Sequence, residues 1–106
     1  METPTVQITD TVVGTGQTVV AGDTVTLHYT GWLADGTKFD SSVGGDPGTF
    51  PLENLIAGWQ EGIPGMQPGG KRTLVIPPEL AYGEDGRPGI PPNSTLTFDI
   101  ELISIQ

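Results

Sequence analysis

Residues 24–33 read Thr-Val-Thr-Leu-His-Tyr-Thr-Gly-Trp-Leu, the clearest strand in the chain. Val25, Leu27 and Tyr29 fall on one face and Thr26, His28 and Thr30 on the other, because successive side chains of an extended strand point to opposite sides. Residues 94–105 repeat the pattern. There Leu96, Phe98, Ile100 and Leu102 share one face, and Thr97, Asp99 and Glu101 share the other. Strands with one apolar face call for a covering layer, so the chain is read as a sheet with something packed on one side.

Working outward, Ala21-Gly22-Asp23 is a turn ahead of the first of these strands, and a strand is expected near residues 5–13 from Val6, Ile8, Val12 and Val13. Asp35-Gly36 is a hairpin-type dipeptide, after which residues 38–41 resume extended structure. Residues 43–48 form a loop, and Phe50-Pro51-Leu52 end a short strand. In the one helical candidate, Leu55, Ile56, Trp59 and Ile63 recur at helical spacing, with Glu53 or Asn54 as cap and Gly62 as stop. A helix of about two turns is stable only when packed, and Gly58 lets its backbone approach a sheet closely. Pro64, Pro68, Gly69 and Gly70 turn the chain into a strand over 71–77. Residues 78–93 are a Pro/Gly-rich loop of a length usually reserved for function. The expected class is α+β: a mainly antiparallel sheet with one short helix on its apolar face.

At 106 residues the chain is long enough for a single domain, 1–106, with one modest core. The 16 Gly and 10 Pro punctuate short apolar runs instead of forming a tract, which suits a turn-rich fold. A formal charge of −9 opposes binding to nucleic-acid phosphates or an anionic membrane surface. Cysteine is absent, so there is no disulfide framework and a reducing compartment is compatible. The Met-Glu-Thr-Pro-Thr start lacks a basic and an apolar signal region, and no run approaches the ~18 apolar residues of a membrane span. A cytoplasmic monomer is the expectation.

Reactive groups are scarce. His28 is the one histidine, and the basic residues are Lys38, Lys71, Arg72 and Arg87. No metal site is expected: the 13 carboxylates show no EF-hand spacing, and Asp23, Asp35, Asp46 and Asp85 adjoin glycines or turn residues, where aspartate serves backbone geometry. Phosphate cradles and nucleophile elbows are absent too, and His28 is read as a structural residue of the outer face. What remains is the rings, Tyr29, Trp32, Phe39, Phe50, Trp59, Tyr82 and Phe98, each alone in its segment. Periodicity leaves open whether they fill a core or line a pocket, although Tyr82, in a Gly/Pro loop, is oddly placed for core filling.

The runs VTLHYTGWLADGTKFDSS (25–42), LIAGWQEGIPGM (55–66) and PPELAYGEDGRPGIPPNSTLTFDIELISI (77–105) closely resemble the FKBP family of peptidyl-prolyl cis–trans isomerases, in the right order and spacing from about Gly14 to Ile105. The resemblance implies an antiparallel sheet of five or six strands curled around one short α-helix. It implies a catalytic pocket of Tyr29, Phe39, Asp40, Trp59, Tyr82 and Phe98, with Leu55, Ile56 and Ile90 binding substrate. Trp59 would be the floor under a proline ring, and Tyr29, Phe39 and Phe98 the walls. The Ile56 N–H and Tyr82 hydroxyl would donate to a bound carbonyl, Asp40 would sit at the rim, and Gly83, Gly86, Pro88, Gly89 and Ile90 would belong to an overhanging loop. The implied ligands are proline-containing peptides, unfolded proteins and rapamycin-like macrolide inhibitors, with no cofactor. Trp32 and Phe50 are assigned to packing or the rim. Departures from the family pattern fall at Gly48, where many members have another aromatic, at Ala57, at Arg87 in place of histidine, and in a shorter Ile90-Pro91-Pro92 segment. They bear on substrate preference and macrolide affinity. A non-catalytic proline-peptide module of the same fold is the alternative. An acidic carbohydrate-binding domain is a third reading, and it predicts exposed coplanar rings.

Overall fold

Two ten-residue strands lie at the centre of the sheet in the computed structural model, which describes residues 4–106. They are β2 (Thr24–Leu33) and β6 (Leu96–Ile105), paired antiparallel from Val25 opposite Ile105 to Leu33 opposite Leu96. Strands β1 (Gln7–Val12), β3 (Lys38–Ser41), β4 (Gly48–Pro51) and β5 (Lys71–Ile76) complete a six-stranded antiparallel sheet ordered β1-β5-β6-β2-β3. The far side of β2 is divided, with β4 pairing its first half and β3 its second.

The alternation read from the sequence carries through to packing. Val25, Leu27, Leu96, Ile100 and Leu102 are essentially inaccessible, and Phe98 is buried with them. One irregularity falls between Thr26 and Leu27, which pair with Ser104 and Leu102. Ile103 is left without an opposite residue and is exposed, while Ile105 returns to the core. A bulge of this kind restores an inward side chain by inserting one residue. Between β2 and β3, Gly36 takes φ +90° and Asp35 Oδ1 accepts the Thr37 N–H at 2.9 Å, the turn chemistry expected of Asp-Gly.

β1 differs from its sequence reading. All six residues are exposed, so Ile8 and Val12 do not face the core. The strand is held by its ladder to β5 and by an ion pair from Arg72 Nε to Asp10 Oδ1 at 2.6 Å.

Helix α1 (Ala57–Gly62) packs against β5. Its start is later than the periodicity suggests. Leu52–Asn54 form a 3-10 turn, Leu55 and Ile56 are extended, and Ile56 occupies the cap position in place of Glu53 or Asn54. Gly58 lies on Ile76, where a Cβ would overlap the isoleucine side chain, and Gly62 lies on Leu74, where a Cβ would come within 2.8 Å. Glycine at both positions therefore sets the helix–sheet distance. The helix ends at Gly62 as expected, with Ile63 as its cap in helical backbone geometry. Pro64 and Gly65, at φ +99°, turn the chain away. The third inward residue of β5 is Arg72, 9% exposed, whose Nη1 donates to the Gly62 carbonyl at 2.8 Å and the Pro64 carbonyl at 3.1 Å. Carbonyls left unpaired at a helix end need such donors.

Candidate active site

The pocket begins as the open end of the core. There Tyr29, Phe39, Asp40, Phe50, Asn54, Leu55, Ile56, Trp59, Tyr82, Arg87 and Phe98 line a cavity of about 350 Å³. Trp59 is 5% exposed and Phe98 4%. Tyr29, Phe39, Phe50, Leu55, Ile56 and Tyr82 are half-buried and Asp40 is exposed, so depth runs from an indole floor to a charged rim.

The rings meet edge to face. Trp59 lies 5.4 Å from Tyr29, 5.1 Å from Phe98 and 6.4 Å from Phe50 between centroids, at 69°, 89° and 82°. Phe39 stands against Phe98 at 5.6 Å and 84°. These are the favoured arrangements of aromatic quadrupoles, and they hold each ring in orientation. The Trp59 Nε1–H is buried without a hydrogen-bond partner among the described residues. A buried donor left unpaired costs about 1–3 kcal/mol. Rings set edge to face around a buried Trp59 argue against a carbohydrate platform of exposed coplanar aromatics.

Two glycines make the ring cluster possible. A Cβ on Gly31 would come within 2.6 Å of Phe39 Cζ and 2.7 Å of Phe98 Cε1, so those rings sit directly on the β2 backbone. At Gly48 a Cβ would overlap the Phe50 ring, which folds back over that residue. Phe50 thus fills the space above Gly48. Of the two residues assigned to packing or the rim, Phe50 is the one that lines the pocket. For Gly31 no local signal exists, because its neighbours Phe39 and Phe98 come from other strands.

Polar groups are few and directed. The Tyr29 hydroxyl donates to Asp40 Oδ2 at 3.0 Å, and Asp40 Oδ1 accepts the Ser41 N–H at 2.8 Å. Burial raises the Tyr29 pKa above its ordinary value of 10.0, and the hydrogen bond to Asp40, its negative charge and Tyr82 add to the shift. The Ile56 N–H has no hydrogen-bond partner among the described residues, and extended Ile56 precedes the helix at the pocket wall. Gln60 Nε2 donates to the Leu55 carbonyl at 2.7 Å, holding that segment against α1. Tyr82 receives a hydrogen bond from Arg87 Nη1 at 3.2 Å.

Of the site residues expected from the sequence, Tyr29, Phe39, Asp40, Leu55, Ile56, Trp59, Tyr82 and Phe98 converge on this pocket. Ile90 does not line it. That side chain is 6% exposed within the core, while its backbone pairs with Arg87. Trp32 also lies outside it. His28 is on the opposite face with Thr30, Lys71, Thr73, Asp99 and Glu101 around a polar depression of about 270 Å³, its Nδ1 3.0 Å from Ser42 Oγ. Among the described residues no three His, Cys, Asp or Glu side chains are grouped to hold a metal ion.

The sequence profile of a family described as FKBP-type peptidyl-prolyl cis-trans isomerase matches residues 15–103. The chain belongs to that family. Among proteins similar to this FKBP domain is the FKBP-type peptidyl-prolyl cis-trans isomerase FkpA of Escherichia coli K12, 52% identical over 94 residues, which are 88% of this chain and 35% of FkpA. An FK506-binding protein of Neisseria meningitidis serogroup C is 51% identical over 85% of this chain and 86% of its own length. The crystal structure of FkpA from Escherichia coli superposes with a TM-score of 0.90 at 48% identity, covering 95% of this chain and 48% of that one. That of AtFKBP13 gives 0.87 at 45% identity, covering 95% and 93%. The chain spans about a third of the length of the Escherichia coli relative. Among the described residues no helix is long and apolar enough to cross a membrane.

Proposed function

We propose that this FKBP domain accelerates cis–trans isomerisation of Xaa-Pro bonds in peptides and unfolded proteins, with an apolar residue favoured before proline. The observation that carries the proposal is the ring-walled pocket over buried Trp59, with hydrogen-bond donors at its edge and no Ser, Thr, Cys, Lys or His in its lining.

Rotation about a peptide bond is opposed by ~18–20 kcal/mol of barrier, because resonance keeps the C–N bond planar. Xaa-Pro bonds populate both isomers and exchange over tens to hundreds of seconds. In the twisted transition state the amide has lost its resonance dipole. Water stabilises the planar ground state better than the twisted one, so desolvation between Tyr29, Phe39, Trp59 and Phe98 favours the latter. Donors directed at the rotated carbonyl, the Ile56 N–H and the Tyr82 hydroxyl in our reading, add to that preference. A million-fold acceleration requires about 8 kcal/mol of such differential binding. The chemistry needs neither metal nor cofactor. Asp40 acts at the rim, where it holds Tyr29 as part of the wall.

Rapamycin-like macrolides are proposed as inhibitors of the same pocket, on the strength of the family. A monomeric state and a cytoplasmic location complete the reading.

A protease-coupled assay on a proline tetrapeptide tests the proposal. Acceleration above the uncatalysed rate is expected, with Phe39→Ala lowering it and His28→Ala leaving it unchanged. Peptide binding seen by Trp59 fluorescence without acceleration would instead identify a binding module.

A further inference from the structure

We propose that Arg87 is a positioning residue for Tyr82, a role that rests on the isomerase reading and assigns its active hydroxyl. Two contacts tie the side chains together. Arg87 Nη1 donates to Tyr82 Oη at 3.2 Å, and the guanidinium carbon stands 4.9 Å from the centroid of the same ring. A planar cation both stacked on a ring and bonded to its hydroxyl fixes that ring's tilt as well as its oxygen.

The backbone supports this placement. Arg87 and Ile90 exchange N–H···O bonds at 2.9 and 2.8 Å around a turn whose corners are Pro88 and Gly89, the latter at φ +84°. Proline at the first corner and a left-handed glycine at the second are the residues such a turn requires. The Gly86 N–H returns to the Tyr82 carbonyl at 3.1 Å, closing the segment between the two partners. Glu84 and Asp85 share this loop, yet the ion pair present among the described residues is that of Arg72 with Asp10. The guanidinium is therefore directed to Tyr82 and not to a neighbouring carboxylate.

The consequence follows from donor counting. A phenol has one proton to donate, and arginine can only donate. Arg87 occupies a lone pair of Tyr82 and leaves the Tyr82 proton for another acceptor. On the opposite wall the Tyr29 proton is already given to Asp40. Of the two pocket hydroxyls, Tyr82 is thus the one with a proton available for a substrate carbonyl, and a charged donor on its oxygen makes it the stronger one.

A double-mutant cycle on kcat/KM for a peptide with an apolar residue before proline tests this. Tyr82→Phe and Arg87→Ala are each expected to lower kcat/KM by about three- to tenfold, the range of one net hydrogen bond. The double variant is expected to match Tyr82→Phe to within about twofold. Arg87→Gln, which keeps a donor, is expected to recover part of the loss. Multiplicative losses in the double variant, or a wild-type rate in Arg87→Ala, would overturn the proposal. An unmodified chain without isomerase activity would overturn the functional reading itself.

Discussion

Tyr29 donates its hydroxyl proton to Asp40 Oδ2 across 3.0 Å, joining β2 to β3 at the open side of the pocket. The Tyr29 pKa is raised, first by burial and then by Asp40, so the folded protein holds this proton more tightly than the unfolded chain does. Below the ordinary value of 10.0 both states are protonated and the full stabilisation is present. As pH rises past that value the unfolded chain ionises first, and the stabilisation is lost as pH passes through the folded value. Tyr29→Phe is therefore expected to lose less stability than the parent between about pH 9 and about pH 11, measured by urea unfolding.

Gly31→Ala places a methyl group against Phe39 and Phe98, at separations that would be 2.6 and 2.7 Å without adjustment. Overpacking of this kind costs about 1–3 kcal/mol. Because the rings that must move are pocket walls, kcat/KM is expected to fall by on the order of tenfold, the effect of a misplacement near an ångström or less. Far-ultraviolet circular dichroism is expected to stay unchanged.

Phe50→Ala removes the ring that folds over Gly48 and faces Trp59 at 6.4 Å. The floor remains but one wall opens to water. The expected result is weaker peptide binding by about five- to tenfold, the worth of one edge-to-face ring pair, with a red-shifted Trp59 emission. Titration by tryptophan fluorescence measures both.

Arg72 ties three elements together through Asp10, Gly62 and Pro64. Arg72→Ala would leave two carbonyls without their donor and is expected to cost roughly 3 kcal/mol in denaturant unfolding. Asp10→Ala removes a partner whose side chain is 44% exposed, while Arg72 keeps both carbonyls. Its expected cost is below about 1 kcal/mol.

Much of this protein is legible along the chain. The inward faces of β2 and β6 follow from two-residue alternation, because a half-buried strand leaves that period in its side chains. Asp35-Gly36 announces its turn by local chemistry, and the helix is visible in Leu55, Trp59 and Ile63. The start of that helix is less legible. Glu53 and Asn54 look like caps, yet packing of Leu52 into the core makes a 3-10 turn there and defers the helix to Ala57. Likewise, Ile8 and Val12 alternate like core residues but lie exposed on an edge strand, with nothing among the described residues covering them. As for the pocket, the residues alone leave seven scattered rings ambiguous, and their sharper reading comes from resemblance to a family.

Local pattern thus settles which segments are strands and which side chains face inward, since both depend on near neighbours along the backbone. Only the folded chain shows β2 lying between β6, β3 and β4, and so brings Tyr29, Phe39, Phe50 and Phe98 around Trp59. It also shows Ile90 turned into the core, Gly31 clearing space for two rings from other strands, and Arg87 resting on Tyr82. Most of these neighbours are far apart in sequence. Arg87 and Tyr82 are close along the chain, but they meet only because the loop between them folds back on itself. Side-chain periodicity records a face but not its partner, so the convergence that makes a pocket is a property of the tertiary structure.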